Sequence, residues 1–413
     1  MLNNRFAVQR FFLCLYFFSM TVENFNPTGY FSIAKLTAAC YLLSVLPSIK
    51  AFIFLTKKSL YFFWPILSYF LWITLISLFN VNSFSSRVLD FEVLQNILLF
   101  MVIVNHARRD SIGLDYGVLA FAVGCFCVSL LMFFNIGATE STGAVIGGEI
   151  AYRTSFFNAG PNEISIKLVT GATILIGLYF QNPLSFTKKT RLILVCWVPI
   201  ILLAALKTGS RTAFLVFVLA GLFWYIVSIL AAQNKLKIMV VGVVGILMLL
   251  VPLALVLPQL SAAETLIARM AETGGKSDFS QGGRFMIWAG FLSIIGDSLI
   301  LGHGLSGYDQ AAYEVFGAVY NPHSVFIEVM IYGGPIGLLL YLSFLIKIFL
   351  ASYKMFRIRG EILPVLLLPT VLAFVIALQG LSEKTCWLLL AYIVGRFIFS
   401  VDRKRTMGLN DLR

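Results

Sequence analysis

The sequence predicts an all-α integral membrane protein with about twelve transmembrane helices and both termini in the cytoplasm. The composition, the long apolar runs and the order of the basic residues predict this class. Of the 413 residues, 59% are hydrophobic and 12% are charged, whereas a soluble globular protein has roughly 25% charged residues. The formal net charge of +12 is therefore interpreted as topogenic charge on loops, and no nucleic acid is predicted as a partner.

The apolar runs define the predicted helices. A helix that crosses the ~30 Å hydrocarbon core needs about 20 apolar residues. The fourth and seventh runs are short, and the first follows two arginines without a small-residue cleavage site, so we expect a retained helix. The predicted spans are 7–23, 31–49, 59–79, 92–105, 115–136, 164–182, 191–206, 212–232, 237–257, 326–351, 361–380 and 385–401.

The basic residues set the predicted orientation. With the N-terminus inside, every cytoplasmic connection carries a basic cluster, as the positive-inside rule requires. The clusters are Lys57/Lys58, Arg108/Arg109, Lys188/Lys189/Arg191, Lys235/Lys237, Lys347/Lys354/Arg357/Arg359 and Arg403/Lys404/Arg405. Basic residues on the outside are fewer and scattered, and topology does not explain them.

Residues 1–413 are predicted to form a single polytopic membrane domain with two long outside loops, 137–163 and 258–325. Long ordered loops of a compact domain usually carry function. The second loop contains the apolar run Phe285 to Ile295, which is too short to span a bilayer. This run predicts an interfacial or re-entrant helix on the outer face.

The segment NPHSVFIEVMIYGGPIG, residues 321–337, places a histidine in front of an apolar run. Counting about 20 helical residues back from the cytoplasmic edge at Lys347 puts His323 at the outer membrane boundary. Pro335 lacks a backbone donor, so the Gly-Gly-Pro sequence predicts a kink or break within this span. A lone histidine at a helix start is often structural, and only its neighbours favour a catalytic role.

Several cations are predicted to share the outer face with His323. Lys207 and Arg211 flank a tight outside turn, and Arg284 opens the interfacial helix after two glycines. A site rich in arginine and poor in carboxylates suits a diphosphate, and an imidazole can act as a general base. An alternative interpretation of Arg211 is an interfacial anchor, whose long side chain extends (snorkels) from the helix to the membrane surface. No metal site is predicted, because the outer face offers no carboxylate or histidine cluster.

Three motifs carry a resemblance to a known family. His323-Ser324, followed after nine residues by Gly334-x-x-Gly337, fits the pattern His-[Asn/Ser/Gln], nine residues, Gly-x-x-Gly. The other two motifs are GSRTA around Arg211, and an Arg-x-x-x-Trp segment that leads to Gly-x-Gly: Arg284, Trp288, Gly302 and Gly304. In this order, on one face and within a twelve-span layout, they resemble the O-antigen polymerase/ligase superfamily of bacterial envelope glycan assembly.

The resemblance implies a GT-C-like, metal-independent, inverting glycosyltransferase without a cofactor, in the bacterial inner membrane with its active site facing the periplasm. Its donor is a glycan on undecaprenyl diphosphate, its acceptor another glycan or lipid A-core, and its further partners are membrane lipids and a chain-length regulator. His323 is then the candidate catalytic base. Candidate diphosphate or glycan ligands are Arg211, Arg284, Arg153 and Lys207, with weaker candidates at Trp288, Tyr308, Tyr320 and Asn162.

Alternatives stay open at several points. The stretch RTSFFNAGPNE, which contains Arg153, and the extended second loop favour a polymerase over a ligase by a narrow margin. A transporter of lipid-linked glycans or small solutes is a further alternative, although transporters usually hold paired broken helices and ionisable groups near the midplane. Asn162 could cap the sixth span instead of contacting substrate, and the aromatic candidates could form an ordinary interfacial belt.

Overall fold

The computed structural model describes residues 2–26, 32–79, 85–146, 149–231, 284–319, 321–378 and 381–406, with the single positions 236 and 240. These residues are mostly helical. Short 3-10 helices lie at Met20–Val22 and Leu46–Ser48. The α-helices are α1 (Leu2–Ser19), α2 (Ile33–Val45), α3 (Ile49–Ile53), α4 (Lys57–Phe79), α5 (Ser85–Arg109), α6 (Ser111–Phe133), α7 (Pro161–Gln181), α8 (Lys188–Cys196), α9 (Val198–Lys207), α10 (Arg211–Ala231), α11 (Arg284–Asp297), α12 (Gly304–Phe316), α13 (Val325–Arg359), α14 (Leu363–Ala377) and α15 (Lys384–Thr406).

The helices confirm a multi-pass membrane protein. Among the described residues, six helical segments are long and apolar enough to cross a membrane: Ile33–Ile53, Lys57–Phe79, Ser111–Phe133, Pro161–Gln181, Lys188–Lys207 and Val325–Arg359. Shorter apolar helices cover Ala7–Val22, Phe214–Leu230, Ile287–Asp297 and Leu363–Ala377. Every predicted run except the ninth overlaps a described helix, and the ninth, 237–257, lies outside the described residues apart from position 240.

The helices of the structure explain why the fourth and seventh apolar runs are short. The fourth run is the middle of α5, a helix of 25 residues whose ends carry charged side chains. The seventh is divided between α8 and α9, which meet at Trp197. Pro199 lies in the first turn of α9, where a missing backbone donor costs little.

Within the described residues, a β-hairpin departs from the predicted all-α fold. Strands β1 (Ala138–Ile146) and β2 (Glu149–Phe156) pair antiparallel, from Ala138 opposite Phe156 to Ile146 opposite Glu149. A register shift between Thr142 and Ala144 marks a bulge. The hairpin falls in the first predicted outside loop, so this loop has secondary structure of its own.

The chain forms two compact units. The first combines Met1–Ser44, Asp115–Gly274 and Met355–Ala373, and the second combines Val45–Leu114, Gly275–Lys354 and Phe374–Arg413. In the first unit α7 is mostly buried and packs against α8, α9, α10 and β2. A Cβ at Gly171 would lie 2.6 Å from the Cβ of Cys125. Glycine at this position therefore permits α6 and α7 to pack closely.

In the second unit α5 packs against α3, α4 and α15, and α12 packs against α4 and α5. Phe100 of α5 lies at the centre of an aromatic cluster. Its ring centroid is 5.2 Å from that of Phe63, 5.7 Å from that of Phe344 and 5.9 Å from that of Trp387. All four helices that contribute these rings are thereby fixed around one apolar core.

Helix α13 is broken at Gly334, as the Gly-Gly-Pro sequence predicts. Gly334 has φ 59° and ψ −162°, a conformation open to glycine and costly for other residues. Pro335 follows it and cannot donate to the helix. The carbonyl of Gly333 is satisfied from outside the helix, because the indole Nε1–H of Trp72 donates to it at 2.9 Å. The break in α13 is thus stabilised by specific contacts within the second unit.

Candidate functional site

His323 lies directly before α13, in the second unit. Its backbone N–H donates to Oδ1 of Asn321 at 2.9 Å, which forms an Asx-type turn. Its φ is 49°, a left-handed conformation that histidine adopts more readily than most non-glycine residues. The side chain is exposed, whereas Ser324 and Val325 are buried. The turn therefore presents an imidazole at the surface from a rigidly held backbone.

Trp288 of α11 connects the predicted Arg-x-x-x-Trp segment to this turn. Its indole Nε1–H donates to the carbonyl oxygen of Pro322 at 2.8 Å. Pro322 is buried and immediately precedes His323, so the contact fixes the peptide unit that carries the histidine. The structure thus gives Trp288 a contact that positions the backbone next to His323. The separate prediction that Trp288 stacks on a sugar stays a prediction.

The Gly302-His303-Gly304 motif packs against the segment that precedes the break in α13. The backbone N–H of His303 donates to the carbonyl of Ile331 at 2.7 Å, and its Nε2 lies 2.8 Å from the carbonyl oxygen of Ile294. Gly302 has φ 78°, and a Cβ there would lie 2.7 Å from both the Gly334 nitrogen and the Ile331 oxygen. Both the conformation and the close approach require glycine. His303 is a structural turn residue, as its position between two glycines indicates.

Tyr308 is packed inside the second unit. It is 5% exposed, its ring stacks on Phe291 of α11 at 6.1 Å and 12°, and it meets Tyr332 edge-on at 5.4 Å. Burial raises the pKa of the Tyr308 hydroxyl, and the nearby carboxyl of Glu328 raises it further. The phenol is therefore neutral at ordinary pH. These contacts give Tyr308 a packing role, and a sugar contact at this residue stays a prediction.

Glu328 is a buried carboxyl that the motif analysis did not single out. It lies in the first turn of α13 and is 2% exposed, and it accepts a hydrogen bond from the Tyr332 hydroxyl at 3.4 Å. Its position in the first turn of a helix favours a negative charge or a hydrogen-bond acceptor. A carboxyl within the His-Ser-x9-Gly-x-x-Gly segment was visible in the sequence, but its burial was not.

In the first unit, Asn162 joins two of the predicted elements. Its Oδ1 accepts from the guanidinium Nη2 of Arg153 at 2.8 Å and from the Ser210 hydroxyl at 3.1 Å. The alternative prediction that Asn162 caps α7 is wrong. Gly160 is the N-cap of this helix, and Asn162 lies within its first turn. Asn162 therefore links the hairpin residue Arg153 to the turn that precedes Arg211.

The turn between α9 and α10 holds Lys207 and Arg211. Arg211 is the first residue of α10, and the turn contains Gly209 with φ 62°. The Lys207 amine donates to the Met132 carbonyl at 3.0 Å and to Asn135 Oδ1 at 2.8 Å. Met132 is in the last turn of α6, where backbone carbonyls lack helical partners. Lys207 therefore caps α6, and its predicted contact with substrate stays a prediction.

A buried ionic network fixes the start of α7. Lys167 is 1% exposed, and its amine lies 2.6 Å from Glu163 Oε1 and 3.3 Å from Glu23 Oε2. The amide of Asn24 donates to both oxygens of Glu163. Lys167 is one of the basic residues that the predicted topology places near the outer face, and this network gives it a structural role. It also anchors the first turn of α7, which carries Asn162.

The predicted site residues thus fall into two groups, each held within its own unit. In the first unit Arg153 donates to Asn162, which also accepts from Ser210, the residue before Arg211 in the chain. In the second unit Trp288 and the turn of His323 are joined. Arg284 is the first residue of α11, as its place after two glycines predicts, and Tyr320 lies outside the described residues.

The fold and these groups define a membrane-embedded, multi-pass helical protein with an exposed histidine before a glycine-broken helix. Residues 196–342 match the family model described as O-antigen ligase. The match confirms the predicted resemblance to the O-antigen polymerase/ligase superfamily and, at this coarse level, supports an enzyme of the glycosyltransferase type. It contains Lys207, Arg211, Trp288 and His323, while Arg153 lies before it. No curated protein matches the chain.

Proposed function

We propose that the protein is a metal-independent, inverting glycosyltransferase that moves a glycan from undecaprenyl diphosphate to a glycan acceptor at the periplasmic face of the bacterial inner membrane. The acceptor hydroxyl oxygen attacks the anomeric carbon of the donor sugar. The bond from that carbon to the diphosphate oxygen breaks, and undecaprenyl diphosphate leaves. His323 takes the hydroxyl proton as general base, so no metal or cofactor is needed to balance the step.

The hydrogen bond from Trp288 to Pro322 carries this proposal. It connects two motifs that are separate in the sequence and holds the peptide next to His323. A general base must meet the acceptor proton within hydrogen-bonding distance, so its backbone has to be fixed although its side chain is exposed. A surface histidine without a role needs no such support, and this difference favours catalysis.

The cations supply the second requirement of the reaction. A departing diphosphate gains negative charge in the transition state, and arginine binds phosphate oxygens through two parallel N–H groups. We assign this role to Arg211 and Arg284, which each begin a helix. Helix N-termini also carry partial positive charge and backbone donors that suit anions.

Arg153 and Asn162 form a further element of the proposed substrate site. Asn162 holds one end of the Arg153 guanidinium at 2.8 Å, which orients its planar fork. A fixed guanidinium binds sugar hydroxyls or phosphate oxygens with less loss of side-chain entropy than a mobile one. The hairpin that carries Arg153 lies in the first predicted outside loop, which favours a contact with the glycan rather than with the isoprenoid tail.

Polymerase is our first choice of acceptor class, and ligase is the alternative. The Arg153 segment and the long second loop favour a polymerase, which extends one lipid-linked glycan with another. The description of the matching family names a ligase, for which the acceptor is lipid A-core. Both reactions use the same donor, leaving group and base, so the roles of His323 and the arginines are the same in either case.

The deciding experiment gives purified protein an undecaprenyl-diphosphate glycan as donor and offers two acceptors separately. Growth of the lipid-linked glycan is the expected result. Transfer only to lipid A-core would make the protein a ligase, and transfer to neither acceptor would contradict the glycosyltransferase proposal. Arg211→Lys and Arg284→Lys should weaken donor binding and rate, whereas the matched control Arg357→Lys, in the last turn of α13, should not.

The transporter alternative is disfavoured by the satisfied backbone of the broken helix. In transporters the unwound carbonyls of such helices commonly coordinate the transported ion. Here the Gly333 carbonyl accepts from Trp72 and the Ile331 carbonyl accepts from His303. Movement of a fluorescent lipid-linked glycan across proteoliposomes, without transfer to an acceptor, would favour transport instead.

A further inference from the structure

A cavity away from the proposed catalytic residues lies in the second unit, between α3 and the C-terminal end of α5. Its volume is about 390 Å³, and it is lined by Lys50, Ala51, Phe54, Asn105, Arg108 and Arg109. Ligand pockets typically measure about 300–1,000 Å³, so this space can hold a small polar group.

The walls of the cavity are held in place by specific contacts. The side-chain amide of Asn105, which is 1% exposed, donates to the Phe52 carbonyl at 2.6 Å and so ties α5 to α3. The guanidinium carbon of Arg109 lies 5.9 Å from the centroid of the Phe52 ring, a cation–π distance. The cavity is therefore bounded by packed elements rather than by isolated surface side chains.

The lining is strongly cationic. Three of its six residues are Lys50, Arg108 and Arg109, and none of the lining residues is acidic. Asp110 follows in the chain but accepts from the Gly113 backbone N–H at 3.1 Å and lies 3.8 Å from the His106 ring nitrogen. The Arg108 Nε–H is buried and has no hydrogen-bond partner among the described residues. That nitrogen is inaccessible from the cavity, so an anionic oxygen that enters would meet the exposed side chains of Lys50 and Arg109.

The apolar surface beside the cavity indicates what carries the anion. Ile53 is 49% exposed and Phe54, which itself lines the cavity, is 64% exposed. A free ion does not pack against apolar side chains, whereas the acyl chain of a lipid can pack against those exposed at the rim. Cationic loops are expected on topological grounds alone, but topology does not account for a half-open cavity whose wall is held by the hydrogen bond from Asn105 to Phe52.

We propose that this cavity binds the phosphate diester of an anionic phospholipid, with Lys50, Arg108 and Arg109 around the headgroup and the acyl chains along Ile53 and Phe54. Basic pockets between membrane helices bind anionic lipid headgroups in this way. The site is independent of the glycan-transfer proposal, since it uses none of the residues assigned to that reaction.

Native mass spectrometry of the full-length protein in detergent tests the proposal, with phosphatidylglycerol and phosphatidylcholine as separate probes. Phosphatidylglycerol should bind more tightly to the wild-type protein. Arg108→Gln/Arg109→Gln should weaken its binding about 25-fold, from about fivefold for each charge removed. The matched control Lys188→Gln/Lys189→Gln removes two exposed charges elsewhere and should leave binding within about twofold of wild type, because the proposed contact is local.

Two further arms keep the test decisive. Lys50→Gln, at an exposed position, should weaken phosphatidylglycerol binding about fivefold without changing thermal unfolding, even if the double variant folds poorly. Inorganic phosphate at millimolar concentration should not displace the lipid. Equal affinity for the two lipids, equal losses in pocket and control variants, or complete displacement by phosphate would each overturn the proposal.

Discussion

The indole N–H of Trp288 donates a 2.8 Å hydrogen bond to the carbonyl oxygen of Pro322. Residues 288 and 322 belong to different motifs, and the bond makes them parts of one structure. Pro322 has no backbone N–H of its own, and His323 is turned outwards by an Asx turn on Asn321. The position of the imidazole therefore depends on α11 as well as on α13.

Trp288→Phe should lower transfer activity more than it lowers stability. The variant keeps an aromatic ring but removes the donor, a net loss of about 1 kcal/mol in hydrogen bonding. A small displacement of a catalytic group can cost up to about 100-fold in rate, so we expect a tenfold or larger fall in kcat. Transfer kinetics and thermal unfolding measure the two effects.

Trp64→Phe is the control for this prediction, since Trp64 is 61% exposed on α4. It should leave kcat unchanged. If Trp288→Phe retained full activity, or lost activity only in proportion to lost folded protein, Trp288 would not position the histidine.

Gly302→Ala should destabilise the protein by about 2–5 kcal/mol. Gly302 has φ 78°, and the added Cβ would lie within 2.8 Å of the backbone of the break in α13. A left-handed conformation costs roughly 1–2 kcal/mol for alanine, and overpacking adds about 1–3 kcal/mol. Gly296→Ala is the matched control, because nothing lies within 4 Å of a Cβ there. Equal melting temperatures for the two variants would refute this account of the motif.

The sequence predicted most helices because membrane spans need long apolar runs, and it predicted the break in α13 because proline cannot continue a helix. It did not yield the hairpin, although Gly147-Gly148 between Ile146 and Glu149 is typical of a two-residue hairpin loop. Apolar and polar residues alternate only weakly on either side of these glycines. The pattern typical of a strand was therefore much weaker than the apolar runs that predict membrane spans.

The contacts that hold the candidate site could not be predicted in the same way. Trp288 and Pro322 are 34 residues apart, and Asn162 and Ser210 are 48 apart. Spacing within a helix or strand carries no information about such pairs. Asn162 illustrates the difficulty, because an asparagine near a helix start is a common cap and only the tertiary structure shows that its oxygen accepts from Arg153.

Asn162→Ala should raise KM for the lipid-linked donor about two- to tenfold while changing kcat less. The substitution removes the acceptor of the Arg153 and Ser210 hydrogen bonds, so the guanidinium must be ordered when the substrate binds, at about 0.5–1.5 kcal/mol. Steady-state kinetics with varied donor concentration measure this split. Asn158→Gly, at an exposed position with φ 64°, is the control. A fall in kcat at unchanged KM would exclude a donor-binding role.

Chelation should leave transfer unchanged, because the arginines rather than a divalent ion are assigned to the leaving diphosphate. The assay compares initial rates after dialysis against EDTA with rates after Mg²⁺ or Mn²⁺ is restored. Loss of turnover that either ion reverses would contradict the role of Arg211 and Arg284.

The rate of glycan transfer by His323→Asn tests the central claim most directly. Asparagine tolerates the left-handed backbone of this position but cannot act as a base, and His323→Ala serves as a second substitution. Both variants should transfer the glycan about 10²–10⁴ times more slowly than the wild-type protein, with unchanged thermal unfolding and nearly unchanged donor affinity. Wild-type turnover by a folded His323→Asn protein would contradict the assignment of His323 as the catalytic base.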